Sequence, residues 1–102
     1  MTRRATEAEI AAALAALPGW ERRGETIWRE FTFADFVAAF AFMTDVAAAA
    51  EQRSHHPDWR NVYRRVQISW TTHDAGGLTG LDFELARRCD ELAAAPGEQG
   101  FA

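Results

Sequence analysis

The stretch Asn61-Val62-Tyr63-Arg64-Arg65-Val66-Gln67-Ile68-Ser69-Trp70-Thr71-Thr72 decides the fold. Val62, Val66, Ile68 and Trp70 fall on one side of a period-two pattern, with Tyr63, Gln67, Ser69 and Thr71 on the other, which predicts a strand over residues 61–72 with one apolar face. Arg64 interrupts that face and marks a bulge or a solvent-exposed end, and the run counts as one long strand or two short ones. Helical periodicity flanks this run on both sides. Before it, Phe36, Phe40, Met43, Ala47 and Ala50 form one stripe, widened by Val37, Ala41 and Ala48, and predict a central buried helix over residues 34–53. After it comes a turn at Asp74-Ala75-Gly76-Gly77. Leu81, Leu85, Arg88 and Leu92 then predict a last helix ending near Ala95-Pro96-Gly97, with residues 98–102 frayed.

Further upstream, Trp20 to Phe33 alternates as two short strands around an Arg23-Gly24-Glu25 turn, with Ile27, Arg29 and Phe31 on one face and Trp28, Glu30 and Thr32 on the other. Thr6-Glu7-Ala8-Glu9 has the form of a capping box, and Ile10, Leu14 and Leu17 continue it as a helix over about residues 7–17, stopped by Pro18-Gly19. The order of elements predicts an α+β domain, with helices packed on one face of an antiparallel sheet.

A chain of 102 residues makes one domain, residues 1–102, with a single core. At 48% hydrophobic and 25% charged residues it is ordinary globular material, not a disordered tail or coiled coil. The net charge of -4 counts against a dedicated nucleic-acid binder. All eleven positive charges are arginine, a compositional bias rather than a phosphate-binding signal. One cysteine, Cys89, cannot form an internal disulfide, so the cytoplasm is the expected compartment. No apolar run approaches the roughly 20 residues of a membrane span, and Met1-Thr2-Arg3-Arg4 leads into an acidic amphipathic segment rather than a signal core.

The chemistry gathers around Glu51-Gln52-Arg53-Ser54-His55-His56-Pro57-Asp58-Trp59. Pro57 disfavours helix at the residue before it, so His55 and His56 sit at or just beyond the end of the central helix. His73 stands at the far end of the following strand pattern. Imidazoles titrate near neutral pH, and a nearby carboxylate such as Glu51 or Asp82 can orient one. Three readings stay open: an acid–base site, a zinc site, and unrelated surface residues. Adjacent histidines point in different directions, which suits acid–base work better than zinc, whose histidines usually stand three to five residues apart. Cys89 reads as a small buried residue within an amphipathic helix rather than a nucleophile, and Gly76-Gly77 as a turn rather than a phosphate loop. Trp59 is either a core residue or a pocket wall.

Glu51-x3-His55-His56-Pro57-x-Trp59-x-Asn61-Val62-Tyr63, then Thr71-Thr72-His73 and Gly77-Leu78-Thr79-x2-Asp82, resembles the pterin-4a-carbinolamine dehydratase family. The resemblance extends through Gly19-Trp20, Phe31-x-Phe33-x-Asp35-Phe36 and Ala39-Phe40-x-Phe42-Met43-Thr44, and covers about residues 6–93. It implies a four-stranded antiparallel sheet with three helices on one face. It also implies dehydration of a 4a-hydroxytetrahydropterin to the quinonoid dihydropterin and water, in tetrahydropterin recycling, with the pterin as substrate and neither cofactor nor metal. His55 and His73 match general acids serving the two faces of the ring, and His56 matches a group that binds and positions it. Ser54, Thr71, Thr72 and Asp74 belong to the matching substrate-contact segments, while Glu51 and Asp82 match carboxylates that orient imidazoles or substrate. Asp74 departs from the glutamate of some members and keeps the charge. A homodimer or homotetramer is implied, as is an alternative use of the same fold in non-catalytic interaction or assembly, including transcription-factor dimerization.

Overall fold

The computed structural model describes residues 3–99. Thr6 caps the first helix, α1 (Glu7–Ala15), through a complete capping box: its hydroxyl accepts the Glu9 amide at 3.1 Å and the Glu9 carboxylate accepts the Thr6 amide at 2.8 Å. Such a cap contributes about 0.5–2 kcal/mol. The tight turn at Gly24, whose φ is +64°, joins β1 (Glu21–Arg23) to β2 (Thr26–Thr32). Helix α2 (Phe36–Gln52) is capped by Asp35, whose carboxylate accepts the Ala38 amide at 2.9 Å. Two further strands, β3 (Asp58–Val62) and β4 (Arg65–Trp70), precede a single 3-10 turn (His73–Ala75) and the last helix, α3 (Gly80–Gln99).

The four strands form one antiparallel sheet in the order β1-β2-β4-β3, so with three helices the chain is an α+β fold. Ile27 and Phe31 from β2, with Val66, Ile68 and Trp70 from β4, turn one sheet face toward Phe42, Val46 and Ala50 of α2 and Leu85, Ala86 and Cys89 of α3. Fully burying the valine, leucine, isoleucine and phenylalanine side chains among them stabilises by about 1.5–3 kcal/mol each. An aromatic cluster closes one side, with Phe42 lying 4.9 Å from Phe31 and 4.8 Å from Phe33 between ring centroids. Asp90 ties α3 to the hairpin by accepting both Trp20 Nε1 at 2.9 Å and Arg29 Nη1 at 2.7 Å.

Three expectations need correction. The run 61–72 is not one strand: pairing begins at Asp58, reverses at Tyr63-Arg64 and resumes at Arg65, with Val62 opposite Arg65. Tyr63 takes the left-handed region at φ +51°, and the Asn61 amide donates to the carbonyls of Tyr63 and Arg65, so the turn is held by a side chain two residues upstream. The stripe assigned to α2 is also rotated. Ala38, Ala39, Phe42, Val46 and Ala50 are buried, whereas Phe36, Val37 and Phe40 are 47%, 73% and 55% exposed; Ala47 and Ala48 also face outward. A helix whose only polar residues are Thr44, Asp45, Glu51 and Gln52 marks its phase weakly, and the face that wins here carries alanines that allow close approach. Finally, α3 does not stop at Ala95-Pro96-Gly97. Its backbone runs on to Gln99, because a proline removes one helix bond and crowds the preceding turn without obliging the helix to end. Arg88, placed on that helix's apolar stripe, is exposed. Residues 100–102 of the expected frayed tail lie outside the described residues.

Cys89 is 1% exposed and burial pushes its thiol up to about 12. A disulfide reagent at pH 8 is therefore expected to leave Cys89 untouched until the chain is unfolded. The sign for stability follows from the same shift. An unfolded thiol ionises near its ordinary value of 9.0 while the folded one keeps its proton, so the contribution is intact below pH 9 and is lost as pH rises toward 12. Urea titrations at pH 8 and 10.5 should show a steeper fall for the parent protein than for Cys89→Ala.

Candidate active site

Helix α2 ends in a two-bond cap: the Ser54 amide donates to the Glu51 carbonyl at 3.1 Å and the His55 amide to the Ala50 carbonyl at 3.0 Å. The geometry places Ser54 in the left-handed region, at φ +50°, where glycine is the usual occupant. Ser54→Gly should therefore raise stability by about 0.5–1 kcal/mol in thermal unfolding. The cap fixes the backbone of His55, and packing fixes its ring. That ring stacks on Trp70, 5.7 Å between centroids and 14° from parallel, and its Nε2 lies 2.7 Å from Asp82 Oδ1.

Asp82 sits in the first turn of α3 with no exposed surface. Its second oxygen accepts the Thr79 amide at 2.9 Å and the Thr72 hydroxyl at 2.8 Å. Because Thr72 spends its one hydroxyl proton on Asp82, the 2.8 Å contact between the two threonine hydroxyls must be donated by Thr79. As a carboxylate Asp82 takes only donors, so His55 presents Nε2–H to it. In the neutral ring Nδ1 is then the nitrogen without a proton, and the ring lines the smaller cleft.

His56 points away from its neighbour. Its Nε2 is 2.9 Å from Glu51 Oε1, and both side chains are exposed, so this contact orients the ring loosely. His73 begins the 3-10 turn and is exposed, its loop closed by paired bonds between Thr72 and Gly77. The three imidazoles line adjoining clefts. One, of about 250 Å³, is bounded by Ser54, His55, His56, Thr71, Thr72, His73 and Asp74. The other, of about 550 Å³, shares His56, Thr71 and His73 and extends over the sheet along Thr26, Pro57, Asp58 and Ser69.

The clefts thus gather His55, His56, His73, Ser54, Thr71, Thr72 and Asp74. Two other candidates stand behind them: Asp82 under His55, and Glu51 beside His56. Trp59, open between core and pocket wall, pairs with Ile68 across the sheet and packs against the core instead of lining either cleft. Sequence reasoning missed Thr26, Ser69, Thr79 and Trp70. Ser69 shares the outward alternation of Thr71 and could have been found from it, whereas Thr26 enters only through hairpin register. Among the described residues no three His, Cys, Asp or Glu side chains are placed to hold a metal ion, and no helix is long and apolar enough to cross a membrane.

The pterin 4 alpha carbinolamine dehydratase family model matches residues 3–92. A protein of Bradyrhizobium sp. (strain ORS 278), provisionally named as such a dehydratase, is 57% identical over 97 residues, covering 93% of this chain and 97% of its own. One from Solibacter usitatus (strain Ellin6076), with the same provisional name, is 50% identical across 92% and 99%. A crystal structure from Brucella melitensis, described as a transcriptional coactivator/pterin dehydratase, superposes with a TM-score of 0.86 at 44% identity, over 89% of this chain and 99% of that one. A pterin dehydratase-like RuBisCO assembly factor of the alpha-carboxysome shares the fold, with a TM-score of 0.64 at 24% identity over 74% and 89% of the two chains. From the match over residues 3–92 and the identity to these relatives, the chain belongs to the pterin 4 alpha carbinolamine dehydratase family.

Proposed function

We propose that the protein dehydrates a 4a-hydroxytetrahydropterin to the quinonoid dihydropterin and water, as a step of tetrahydropterin recycling in the cytoplasm. The observation that carries this reading is His55, partly buried against Trp70, held through Nε2 by Asp82 and lining the same cleft as His73. The carbon–oxygen bond at C4a breaks as an imidazolium gives its proton to the departing hydroxyl, and a ring N–H proton returns to a neutral imidazole. Protons balance without a redox step, so the chemistry asks for no resident cofactor or metal. His55 and His73 serve as acids toward the two faces of the ring. His56, braced by Glu51, positions it, while Ser54, Thr71, Thr72 and Asp74 offer polar contacts to the flat heterocycle.

The test follows the decay of enzymatically generated 4a-hydroxytetrahydropterin with and without protein. Acceleration by the wild type is expected, with His55→Ala combined with His73→Ala returning the rate toward the uncatalysed one, a loss of about 10²–10⁴-fold. No acceleration by wild-type protein, or an unchanged rate in the double variant, sinks the proposal.

A second reading, interaction or assembly through the helices, is favoured by the exposed Phe36, Val37 and Phe40 of α2, which would be covered in a homodimer or homotetramer. Light scattering reads the copy number. A stoichiometric foreign partner retained after both histidine substitutions would favour a non-catalytic role instead.

A further inference from the structure

Arg4 and Ala5 line neither histidine cleft, yet they touch the supports of two imidazoles. The Ala5 amide donates to the Leu78 carbonyl at 2.7 Å, and Arg4 pairs as an isolated antiparallel bridge with Thr79. Thr79 is the residue whose amide holds Asp82, and through it His55, while its hydroxyl meets the Thr72 hydroxyl that also donates to Asp82. Two residues earlier, Gly77 closes the loop that carries His73 by exchanging two backbone bonds with Thr72, at 3.2 and 3.3 Å.

A clasp lies over that closure. Arg4 Nη2 donates to Glu25 Oε2 at 2.8 Å, and a Cβ on Gly77 would stand 2.6 Å from Glu25 Oε1 and 2.9 Å from Arg4 Nε. Glycine is what lets the clasp seat on the loop. Glu25 belongs to the β1–β2 turn, and its carbonyl accepts the Thr71 hydroxyl at 2.6 Å, so arm, turn and cleft wall meet at one point.

We propose that Arg4 and Ala5, together with Glu25 and Gly77, act as a positioning strap for the site, holding residues 72–79 so that His73 is presented and Asp82 stays braced behind His55. The inference rests on the dehydratase reading for its catalytic consequence. An exposed ion pair contributes under about 1 kcal/mol to the fold, whereas misplacing a reacting group by about 1 Å costs up to about 10²-fold in rate. The strap should therefore register in catalysis and local opening well before it registers in global stability.

The experiment uses full-length protein and two readouts: amide hydrogen exchange at Thr72 and Gly77 without substrate, and kcat and KM for dehydration. Arg4→Gln and Glu25→Gln should each speed exchange at both amides by about two- to fivefold, the worth of one exposed pair. Each should also lower kcat/KM by about three- to tenfold through lost positioning, with the double variant no worse than either single one. Gly77→Ala should act in the same direction. The charge swap Arg4→Glu with Glu25→Arg should recover most of both losses. Arg3→Gln, which breaks the comparable pair with Glu9 instead, should leave both readouts within about twofold. Unchanged exchange in Arg4→Gln and Glu25→Gln, or a swap that restores nothing, overturns the strap. An inactive wild type overturns the dehydratase reading but leaves the exchange comparison to decide the strap.

Discussion

Asp82→Asn is expected to leave the protein folded and to lower the dehydration rate by about 10²–10⁴-fold, the span a positioned acid or base contributes. The amide has the shape of the carboxylate, and its oxygen can still accept the Thr79 amide and the Thr72 hydroxyl. Those two donors fix its orientation and turn the amide nitrogen, a donor, toward His55 Nε2. Neutral His55 must then accept at Nε2 and carry its proton on Nδ1, so it cannot take one from the cleft. The imidazolium fares no better, because it sets two N–H groups against each other across 2.7 Å. On the proposed dehydratase reading, both halves of the proton cycle are then blocked by one exchanged group. Asp82→Ala should instead attack the fold, since it strands the buried Thr79 amide and the Thr72 hydroxyl together, with a loss of about 3–5 kcal/mol. Thermal unfolding separates the two variants, and ring-nitrogen NMR reads the His55 tautomer directly. A folded Asp82→Asn protein retaining more than a tenth of the wild-type rate would show that Asp82 does not govern the proton on His55.

The parts readable in the sequence were those set by local chemistry. The Thr6–Glu9 capping box, the Gly24 turn and the buried alternation Val66-Ile68-Trp70 each have a cause within a few residues, and each is present in the fold. Two short strands stood open as a reading, but the β3–β4 turn was not located, because Tyr63-Arg64 has none of the glycine or asparagine that usually signals a two-residue hairpin. Its support comes from Asn61, upstream and side-chain mediated. The phase of α2 was missed for a different reason: polar residues are few along the helix, and tertiary packing selects among several apolar stripes. The family motif located the histidines by position. It did not show that His55 stacks on Trp70, because that contact joins a helix end to a strand through register no local pattern encodes.

Trp70→Ala should destabilise the domain by about 3–5 kcal/mol, the largest stability loss expected of a single core truncation here. Trp70 has no exposed surface, lies opposite Ile27 in the sheet and forms the floor beneath His55. Against a typical total of about 5–15 kcal/mol, that loss threatens the fold itself. Trp70→Phe sets two effects against each other. The smaller ring forfeits packing worth about 1–3 kcal/mol, yet it also deletes an indole N–H that is buried without a hydrogen-bond partner, whose desolvation costs about 1–3 kcal/mol. The two nearly cancel, so Trp70→Phe should fall within about 1 kcal/mol of wild type in urea unfolding, with an unchanged m-value. The nearby Cys89 thiol decides the remainder. Sulfur is a weak acceptor, and if it relieves the indole appreciably, Trp70→Phe will be costlier in the wild type than in a Cys89→Ala background. Phenylalanine still offers His55 a flat surface, so dehydration should persist within a few-fold while Trp70→Ala loses it. Equal destabilisation by the two substitutions would mean that the indole nitrogen is satisfied after all and that its packing is not replaceable by a benzene ring.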